Sequence, residues 1–271
     1  MKELTIKPKT PFSLNFKELW QYRELFYFLA LRDIKVRYRQ TAIGIVWAVL
    51  QPFLTMIVFT VFFGKIAGIQ INDVPYPVFS IIGLLFWNYF SNSLSSASDS
   101  MIANRGIVQK VYFPRIIIPL ASTMVFLLDF FCTLGLTLVL MIYFKIQISW
   151  LGVVFIVPAL IVTFLAFSGL GLAAAAINVK YRDVRYALPF FIQLLIFVSP
   201  VIYPVAVLGK YQWLWFLNPM SGVIETGRNL LLGLPVVNWS LLGVSALASI
   251  ILFLFGVYYF NKTEKWFADV I

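Results

Sequence analysis

The chain has 271 residues, of which 61% are hydrophobic and only 12% charged, and its mean hydropathy is +0.91. A water-soluble domain of this length cannot bury so much apolar surface, so the composition excludes that class and predicts a polytopic membrane protein. A single cysteine excludes an internal disulfide framework, and the absence of histidine removes the commonest metal ligand and general base. The net charge of +10 does not indicate nucleic-acid binding, because the basic residues cluster beside apolar runs, as orientation signals do.

The first 41 residues are predicted to form a cytoplasmic tail that ends in an amphipathic interface helix. Between residues 16 and 39, apolar side chains recur at helical spacing among charged ones, which is typical of helices that lie in the membrane interface. A surface helix of a soluble N-terminal domain is the alternative, but the segment is too short for a domain. Because the first apolar run starts only after this mixed segment, we expect no cleavable signal peptide.

Six apolar runs then follow, each long enough to cross about 30 Å of hydrocarbon as a helix. We predict a six-span bundle over residues 42–260 and a cytoplasmic tail over 261–271, so that residues 1–271 form one all-α transmembrane domain. Seventeen of the 21 Lys and Arg residues fall on one side of this topology and four on the other. The positive-inside rule therefore places both termini in the cytoplasm. The predicted spans are 42–63, 78–98, 116–144, 151–177, 186–207 and 241–260.

The outer segment 208–240 differs from an ordinary loop, because it is nearly as apolar as a span. It contains Asn218-Pro219 and, further on, Glu225 and Arg228. Two short helices broken at Pro219 fit it better than a seventh crossing, which would reverse the orientation of the tail. Such a re-entrant hairpin is tolerated only where protein or water covers its irregular backbone. Glu225 and Arg228 are three residues apart, so we expect them to pair on one helix face.

Polar stripes on the first two spans and aromatic clusters near the outer ends are candidate linings of a transport path. The stripes also fit helix-to-helix hydrogen bonding, and the aromatic residues also fit an interfacial belt of Trp and Tyr, which is the commoner explanation. A path for sugars would use flat rings, since their faces stack on the C–H faces of pyranoses. The candidate lining residues are Trp47, Gln51, Phe86, Asn88, Tyr89, Phe90, Asn92, Tyr203, Trp213, Trp215 and Phe216.

The sequence contains no G-x-x-x-x-G-K-[ST] phosphate loop, no H-E-x-x-H metal motif and no catalytic constellation. We therefore expect neither enzymatic activity nor a bound metal, which argues against a membrane glycosyl- or acyltransferase. Asp129 lies deep in the third span and is the most prominent intramembrane charge. A proton-coupled secondary transporter would use it as a proton relay. We favour a structural role, because no partner cation falls within the predicted hydrocarbon core. The two three-span halves also show no internal repeat.

Five segments occur in an order that resembles a known family. They are LRDIKVRYRQTAIGIVWAVLQPF, NRGIVQKVYFPR leading into IIIPL, NVKYRDV, SPVIYP and NPMSGVIETGRNLLL. Together they are similar to the membrane subunit of bacterial ABC exporters for cell-envelope polysaccharides of the O-antigen or teichoic-acid type. The similarity covers the chain from about residue 16. The capsule exporters are a closely related family and remain an alternative. ABC exporters of drugs or small lipids are a further alternative.

The resemblance implies a homodimer in the bacterial cytoplasmic membrane, with two copies of a separate ATPase subunit that holds ATP and Mg. Its substrate would be a glycan on a polyprenyl pyrophosphate carrier within the membrane lipids. The short basic loop 99–115, otherwise an inert connector, would be the coupling helix, with Asn104, Arg105, Lys110 and Tyr112 at the ATPase. Asn218, Pro219, Glu225 and Arg228 would belong to an outer gate. A pyrophosphate needs cationic contacts, for which Arg32, Lys35, Arg37 and Arg39 stand at the inner leaflet.

Overall fold

The computed structural model describes residues 16–39, 44–69, 71, 74–181, 183–234, 237–264 and 267. Within these ranges the regular secondary structure is helical. A π-helical segment, Thr60–Ile66, continues α3, and a 3-10 helix, Val205–Leu217, precedes α10. The α-helices are α1 (Phe16–Gln21), α2 (Arg23–Arg39), α3 (Val46–Phe59), α4 (Tyr76–Ala103), α5 (Arg105–Lys110), α6 (Ile117–Ser122), α7 (Met124–Tyr143), α8 (Trp150–Lys180), α9 (Val184–Leu195), α10 (Ser221–Leu231) and α11 (Trp239–Thr263).

Four helical stretches in the described part of the chain are both long and apolar enough to cross a membrane. They are Val46–Ile66, Ile117–Tyr143, Trp150–Lys180 and Trp239–Thr263. The 28-residue α4 is not among them, although its length of about 42 Å exceeds the hydrocarbon thickness. Serine and asparagine side chains make α4 less apolar, and it tolerates them because most of its residues are buried against other helices instead of facing lipid.

The centre of the bundle is α8, which packs most closely against α4 and α11. Glycines permit these close crossings. A Cβ built on Gly256 of α11 would lie 2.0 Å from the carbonyl oxygen of Gly169 on α8, and one on Gly171 would lie 2.7 Å from Ala97 Cβ on α4. Small residues let helix backbones approach in membranes, where no difference in hydrophobicity drives helices together.

Local sequence signals account for several helix ends. Pro75 and Pro77 stand at the start of α4. Backbone N–H groups in the first turn of a helix have no intrahelical acceptor, so proline, which lacks the N–H, costs no hydrogen bond there. The side chain of Asn238 caps α11 by accepting the N–H of Leu241 at 3.0 Å. Gly233 has φ +64° and ends α10 in a Schellman motif, in which the Leu234 N–H bonds the Asn229 carbonyl at 2.8 Å.

The bundle has two distinct ends. We call the first the basic end: α2, α5, α6 and the last turns of α8 and α11 meet there in one apolar cluster with Phe267. We call the opposite one the hairpin end: α10 packs there against the first turns of α8 and α11, where Gly152 and Gly222 make close backbone contacts.

Two of the predicted spans need a correction of extent. The third keeps its predicted extent, since one candidate span, Ile117–Tyr143, covers it. It is interrupted at Thr123, where α6 and α7 meet and the Ser122 and Thr123 hydroxyls bond back to carbonyls. The fifth predicted span contains α9, which has only 12 residues and is about 18 Å long. This helix ends before Ser199-Pro200, since the residue before a proline disfavours the helical conformation. The first begins at Val46, and the predicted start at residue 42 lies outside the described residues.

Candidate functional site

The four basic residues predicted on α2 do not act as one group. Arg37 points into the bundle, where its Nη2 lies 2.8 Å from Asp129 Oδ2 on α7 and its guanidinium lies over the ring of Phe126 at 4.8 Å. Tyr38 donates its hydroxyl to the other oxygen of Asp129. Burial and then this hydrogen bond raise the pKa of the Tyr38 phenol above its ordinary value, so the phenol stays protonated as a donor.

Asp129 therefore has the cationic partner that the sequence did not reveal. Its side chain is 14% exposed and holds two donors from α2. Both of its carboxylate oxygens are thus bonded to side chains of α2. We predicted no partner cation within the hydrocarbon core, and the partner comes instead from α2, which precedes the first span.

Arg32, Lys35 and Arg39 lie on another face of α2. They border an open cavity of 570 Å³ whose described lining comes from one helix face. Arg32 also contacts two protein groups: its Nη2 lies 2.7 Å from Asp33 Oδ1 and 2.8 Å from the Asn104 side-chain oxygen. The described lining residues are Phe28, Leu31, Arg32, Lys35, Val36 and Arg39.

The predicted coupling segment contains the helix α5, one side of which is buried. Val108 packs into the apolar cluster of the basic end, whereas Arg105 and Lys110 are exposed and Tyr112, just beyond the helix, is 64% exposed. Asn104 is the residue between α4 and α5, and its backbone carbonyl accepts the N–H of Ile107 at 3.0 Å. The segment thus presents a basic outer surface on an apolar base.

Two sets of contacts hold the coupling segment at its two ends. At its first residue, the Asp99 carboxylate accepts hydrogen bonds from Asn178 Nδ2 at 3.0 Å and from Arg185 Nε at 3.4 Å. At its last residue, Arg115 donates its backbone N–H to Glu264 Oε1 at 3.2 Å and its Nη1 to the Glu264 carbonyl at 2.7 Å. The end of α11 is therefore tied to the exit of the coupling segment.

The structure divides the predicted lining residues on α3 and α4. Phe86, Tyr89 and Phe90 are buried in the core, where Phe86 and Tyr89 lie against the ring of Phe130 at 5.8 and 5.7 Å. Side chains in these positions pack the core of the protein. The remaining candidates are more accessible: Trp47 and Gln51 on α3 are exposed, and Asn88 and Asn92 on α4 are half-buried.

The outer aromatic candidates divide in the same way. Trp215 is fully buried, with its Nε1 donating to the Val205 carbonyl at 3.3 Å and its ring 5.7 Å from that of Tyr203. Trp213 is 57% exposed and Phe216 is 38% exposed, so both remain available to lipid, to a partner or to a substrate. Within the 3-10 helix Trp215 is therefore a packing residue, whereas Trp213 and Phe216 lie at the surface.

Arg228 organises the hairpin end. It is 1% exposed and pairs with Glu225 at 3.4 Å, as the spacing predicted, while its Nη2 donates to the Pro200 carbonyl at 2.6 Å. Its guanidinium also lies 3.5 Å from the ring centroid of Phe79 on α4. One buried cation thereby joins α10, the turn after α9 and the start of α4.

Asn218 and Pro219 lie between the 3-10 helix and α10, where the predicted hairpin would be broken. Asn218 Nδ2 donates to Ser199 Oγ at 2.7 Å, and its Oδ1 accepts the N–H of Met220 at 2.9 Å. The irregular backbone between the 3-10 helix and α10 is thus bonded within the protein, which such backbone requires in a membrane.

The sequence analysis missed several partners of these residues. It did not single out Phe79, Gly83 or Glu264, since each stands among residues of ordinary type for its segment. Gly83 is the clearest case, because a Cβ there would lie 2.6 Å from Arg228 Nη2. Within the described residues no three His, Cys, Asp or Glu side chains are grouped closely enough to hold a metal ion.

Comparison with known proteins gives a consistent family. The model of the ABC-2 type transporter family matches residues 24–232. The chain is 28% identical over 252 residues to an O-antigen export system permease protein RfbA of Klebsiella pneumoniae, covering 92% of this chain and 95% of that protein. It is 31% identical over 214 residues to an RfbA of Myxococcus xanthus, with 78% and 81% covered. The polysialic acid transport protein KpsM of Escherichia coli is 25% identical over 205 residues, with 74% and 78% covered.

Proposed function

The chain belongs to the ABC-2 type transporter family, and from that premise we propose that it is the membrane subunit of an ATP-driven exporter of cell-surface polysaccharide. Relatives named for O-antigen export and for polysialic acid transport, aligned over most of their length, support this substrate class. The glycan would travel on a polyprenyl pyrophosphate carrier. ATP and Mg would be bound by a separate ATPase, two copies of which would serve a homodimer of this chain.

The observation that carries the proposal is the arrangement of α5 at the basic end. It projects Arg105 and Lys110 outward from an apolar base, and tertiary contacts before and after it fix it to α8, α9 and α11. A short helix held in this way can pass a displacement from a docked subunit to the spans. We propose that this surface docks on the ATPase.

We propose six crossings with both termini in the cytoplasm of a bacterium, the chain lying in its cytoplasmic membrane. The positive-inside rule supports this orientation, since α2 and the coupling segment carry their cations at one end of the bundle. The fifth crossing would combine α9 with the turn after it, because Arg185 contacts Asp99 at the basic end and Pro200 contacts Arg228 at the hairpin end. The segment from the 3-10 helix to α10 would then be the re-entrant outer hairpin.

We propose that the carrier pyrophosphate is held by Arg32, Lys35 and Arg39, whereas Arg37 anchors α2. The glycan path would be bordered by the accessible candidates Trp47, Gln51, Asn88, Asn92, Trp213 and Phe216. A proton-coupled secondary transporter is disfavoured, because Asp129 is engaged by Arg37 and Tyr38.

A charge reversal on α5 tests the proposal. The double variant Arg105→Glu with Lys110→Glu should lower co-purification of the ATPase at least tenfold and abolish glycan-stimulated ATP hydrolysis. Lys65→Glu with Lys145→Glu is the matched control, since it reverses two exposed cations far from α5. Equal recovery of the ATPase with both double variants would contradict docking on α5. Glycan transport in liposomes that contain this chain alone would contradict the ATP-driven function itself.

A further inference from the structure

The face of α2 that borders the cavity contacts the coupling segment. Arg32 is the residue that joins them: it lines the cavity, and its Nη2 lies 2.8 Å from the side-chain oxygen of Asn104. These two residues are 72 positions apart in the sequence. The connection rests on the proposed function, since it concerns how the carrier would be detected.

The cavity has the chemistry of a lipid diphosphate site. Arg32, Lys35 and Arg39 supply the positive charge, and Phe28 and Val36 on the same face supply exposed apolar surface. Guanidinium groups bind phosphate oxygens through paired, charge-assisted hydrogen bonds. An isoprenoid chain that carries a diphosphate matches both parts of this lining, whereas a free phosphate would use only the cations.

In the present conformation protein groups occupy Arg32. Asp33 Oδ1 accepts from its Nε at 2.9 Å and from its Nη2 at 2.7 Å, and the same Nη2 donates to Asn104. A diphosphate carries more negative charge than one carboxylate and offers more acceptor oxygens. It would therefore compete for the guanidinium and draw it towards the cavity.

A displacement of Arg32 would act on Asn104 in a sensitive position. Asn104 Nδ2 donates to the Ser100 carbonyl at 2.9 Å, which holds the side chain on the last turn of α4. Its backbone carbonyl accepts the N–H groups of Ile107 and Val108, which form the first turn of α5. Arg32, the end of α4 and the start of α5 therefore meet at one residue.

We propose that Arg32 and Asn104 form a sensor that reports occupation of the α2 cavity by a polyprenyl diphosphate to the coupling helix. When the cavity is empty, Arg32 holds Asn104 and with it the start of α5. When the diphosphate binds, the guanidinium turns to the phosphate oxygens and releases Asn104, so α5 changes position against the ATPase. Asn104 acts through α5 and is a positioning residue, without contact to the substrate.

The test uses the complex of this chain with its ATPase in lipid nanodiscs, with undecaprenyl diphosphate as the probe. Two quantities are measured: the dissociation constant of the probe and the ratio of ATPase rates with and without it. Phosphatidylglycerol and soluble inorganic pyrophosphate are the comparison ligands. Wild type should respond at least threefold more strongly to undecaprenyl diphosphate than to either, which distinguishes the carrier from an ordinary lipid headgroup and from a free anion.

Asn104→Ala should bring the stimulation ratio close to one while the probe still binds within about threefold of wild type. Asn104→Gln keeps an uncharged amide oxygen as an acceptor for Arg32 and should retain at least half of the stimulation. Arg32→Lys keeps the positive charge, but an ammonium group cannot bond Asp33 and Asn104 at the same time as the planar guanidinium does. This variant should therefore lose more of the ATPase stimulation than of its affinity for the probe. Gln109→Ala, which removes an exposed amide from α5 itself, is the control for general damage to the helix.

Full stimulation in Asn104→Ala would overturn the sensor and leave the proposed function intact, since the carrier would still bind and activate. An equal loss of stimulation in Asn104→Ala and Asn104→Gln, with binding intact, would also overturn it, because the amide oxygen would then be irrelevant. Failure of wild type to bind or respond to undecaprenyl diphosphate would instead refute the proposed carrier and the sensor with it.

Discussion

Arg37 Nη2 lies 2.8 Å from Asp129 Oδ2, which joins α2 to the candidate span helix α7. Among the four candidate span helices of the described residues, Asp129 is the only Asp or Glu, and its partner is 92 positions earlier in the chain. Because Tyr38 donates to the second carboxylate oxygen, the three side chains form one polar contact within an apolar region. The pair therefore fixes the depth and rotation of α2 against the bundle.

A double-mutant cycle on this pair should show strong coupling. Arg37→Gln and Asp129→Asn should each lower the free energy of unfolding by about 1–2 kcal/mol, since a charge-assisted hydrogen bond is lost and its partner is left partly buried. The double variant should lose clearly less than the sum of the two. Thermal unfolding in detergent measures this. Asp99→Asn, which breaks a more exposed 3.4 Å pair, is the control and should cost under about 1 kcal/mol. Additive losses would contradict a direct interaction.

The two tryptophans near the hairpin should behave differently. Trp215→Ala should reduce stability by about 3–5 kcal/mol and lower the yield, because it empties a fully buried position next to Tyr203. Trp213→Ala removes an exposed ring, so stability should change by less than about 0.5 kcal/mol. If Trp213 borders the glycan path, export should fall in that variant while assembly is unchanged. Normal export from a well-folded Trp213→Ala protein would assign Trp213 to the lipid interface instead.

Sequence patterns located the helices because long apolar runs and basic flanks depend on local composition. Helices α8 and α11 are each only a few residues longer than the predicted spans. The pairing of Glu225 with Arg228 followed from their spacing in the sequence. The pairing of Asp129 with Arg37 and that of Arg32 with Asn104 could not be predicted in this way, because these residues are distant in the chain. The burial of Phe86 and Trp215 was also missed, since an aromatic side chain suits a core, a membrane interface and a sugar-binding surface equally.

Gly256→Ala should disrupt the centre of the bundle. The added Cβ would lie 2.0 Å from the Gly169 carbonyl oxygen, so α8 and α11 would have to separate, at about 1–3 kcal/mol. Gly243→Ala on the same helix is a matched control, because no atom lies within 4 Å of its added Cβ. That substitution should be neutral or slightly stabilising through helix propensity. Equal melting temperatures for the two variants would contradict the close crossing.

Arg228→Met should destabilise the hairpin end more than Arg228→Lys does. Methionine leaves the Pro200 carbonyl and Glu225 without their donor, and a buried polar group without a partner costs about 1–3 kcal/mol. Lysine restores a charge but cannot stack a planar group on Phe79. Protease accessibility of the segment between α9 and α10, measured in membranes from the outer side, should rise in the order wild type, Lys, Met. Identical accessibility in all three would show that Arg228 does not hold this segment.

The contact between Arg115 and Glu264 predicts a role for the end of α11 in coupling. Glu264→Ala removes the acceptor for the Arg115 N–H but leaves the backbone carbonyl that accepts from its Nη1, so the protein should fold and bind its ATPase. Phe267→Ala removes a buried ring that packs 5.2 Å from Phe260 and should loosen the same joint more strongly. Both variants should hydrolyse ATP with fewer glycans exported per ATP, and Phe267→Ala should show the larger loss. Lys262→Ala, an exposed change one turn earlier, should keep the wild-type ratio. A wild-type ratio in Phe267→Ala would mean that force from α5 reaches the spans through α4 and α6 alone.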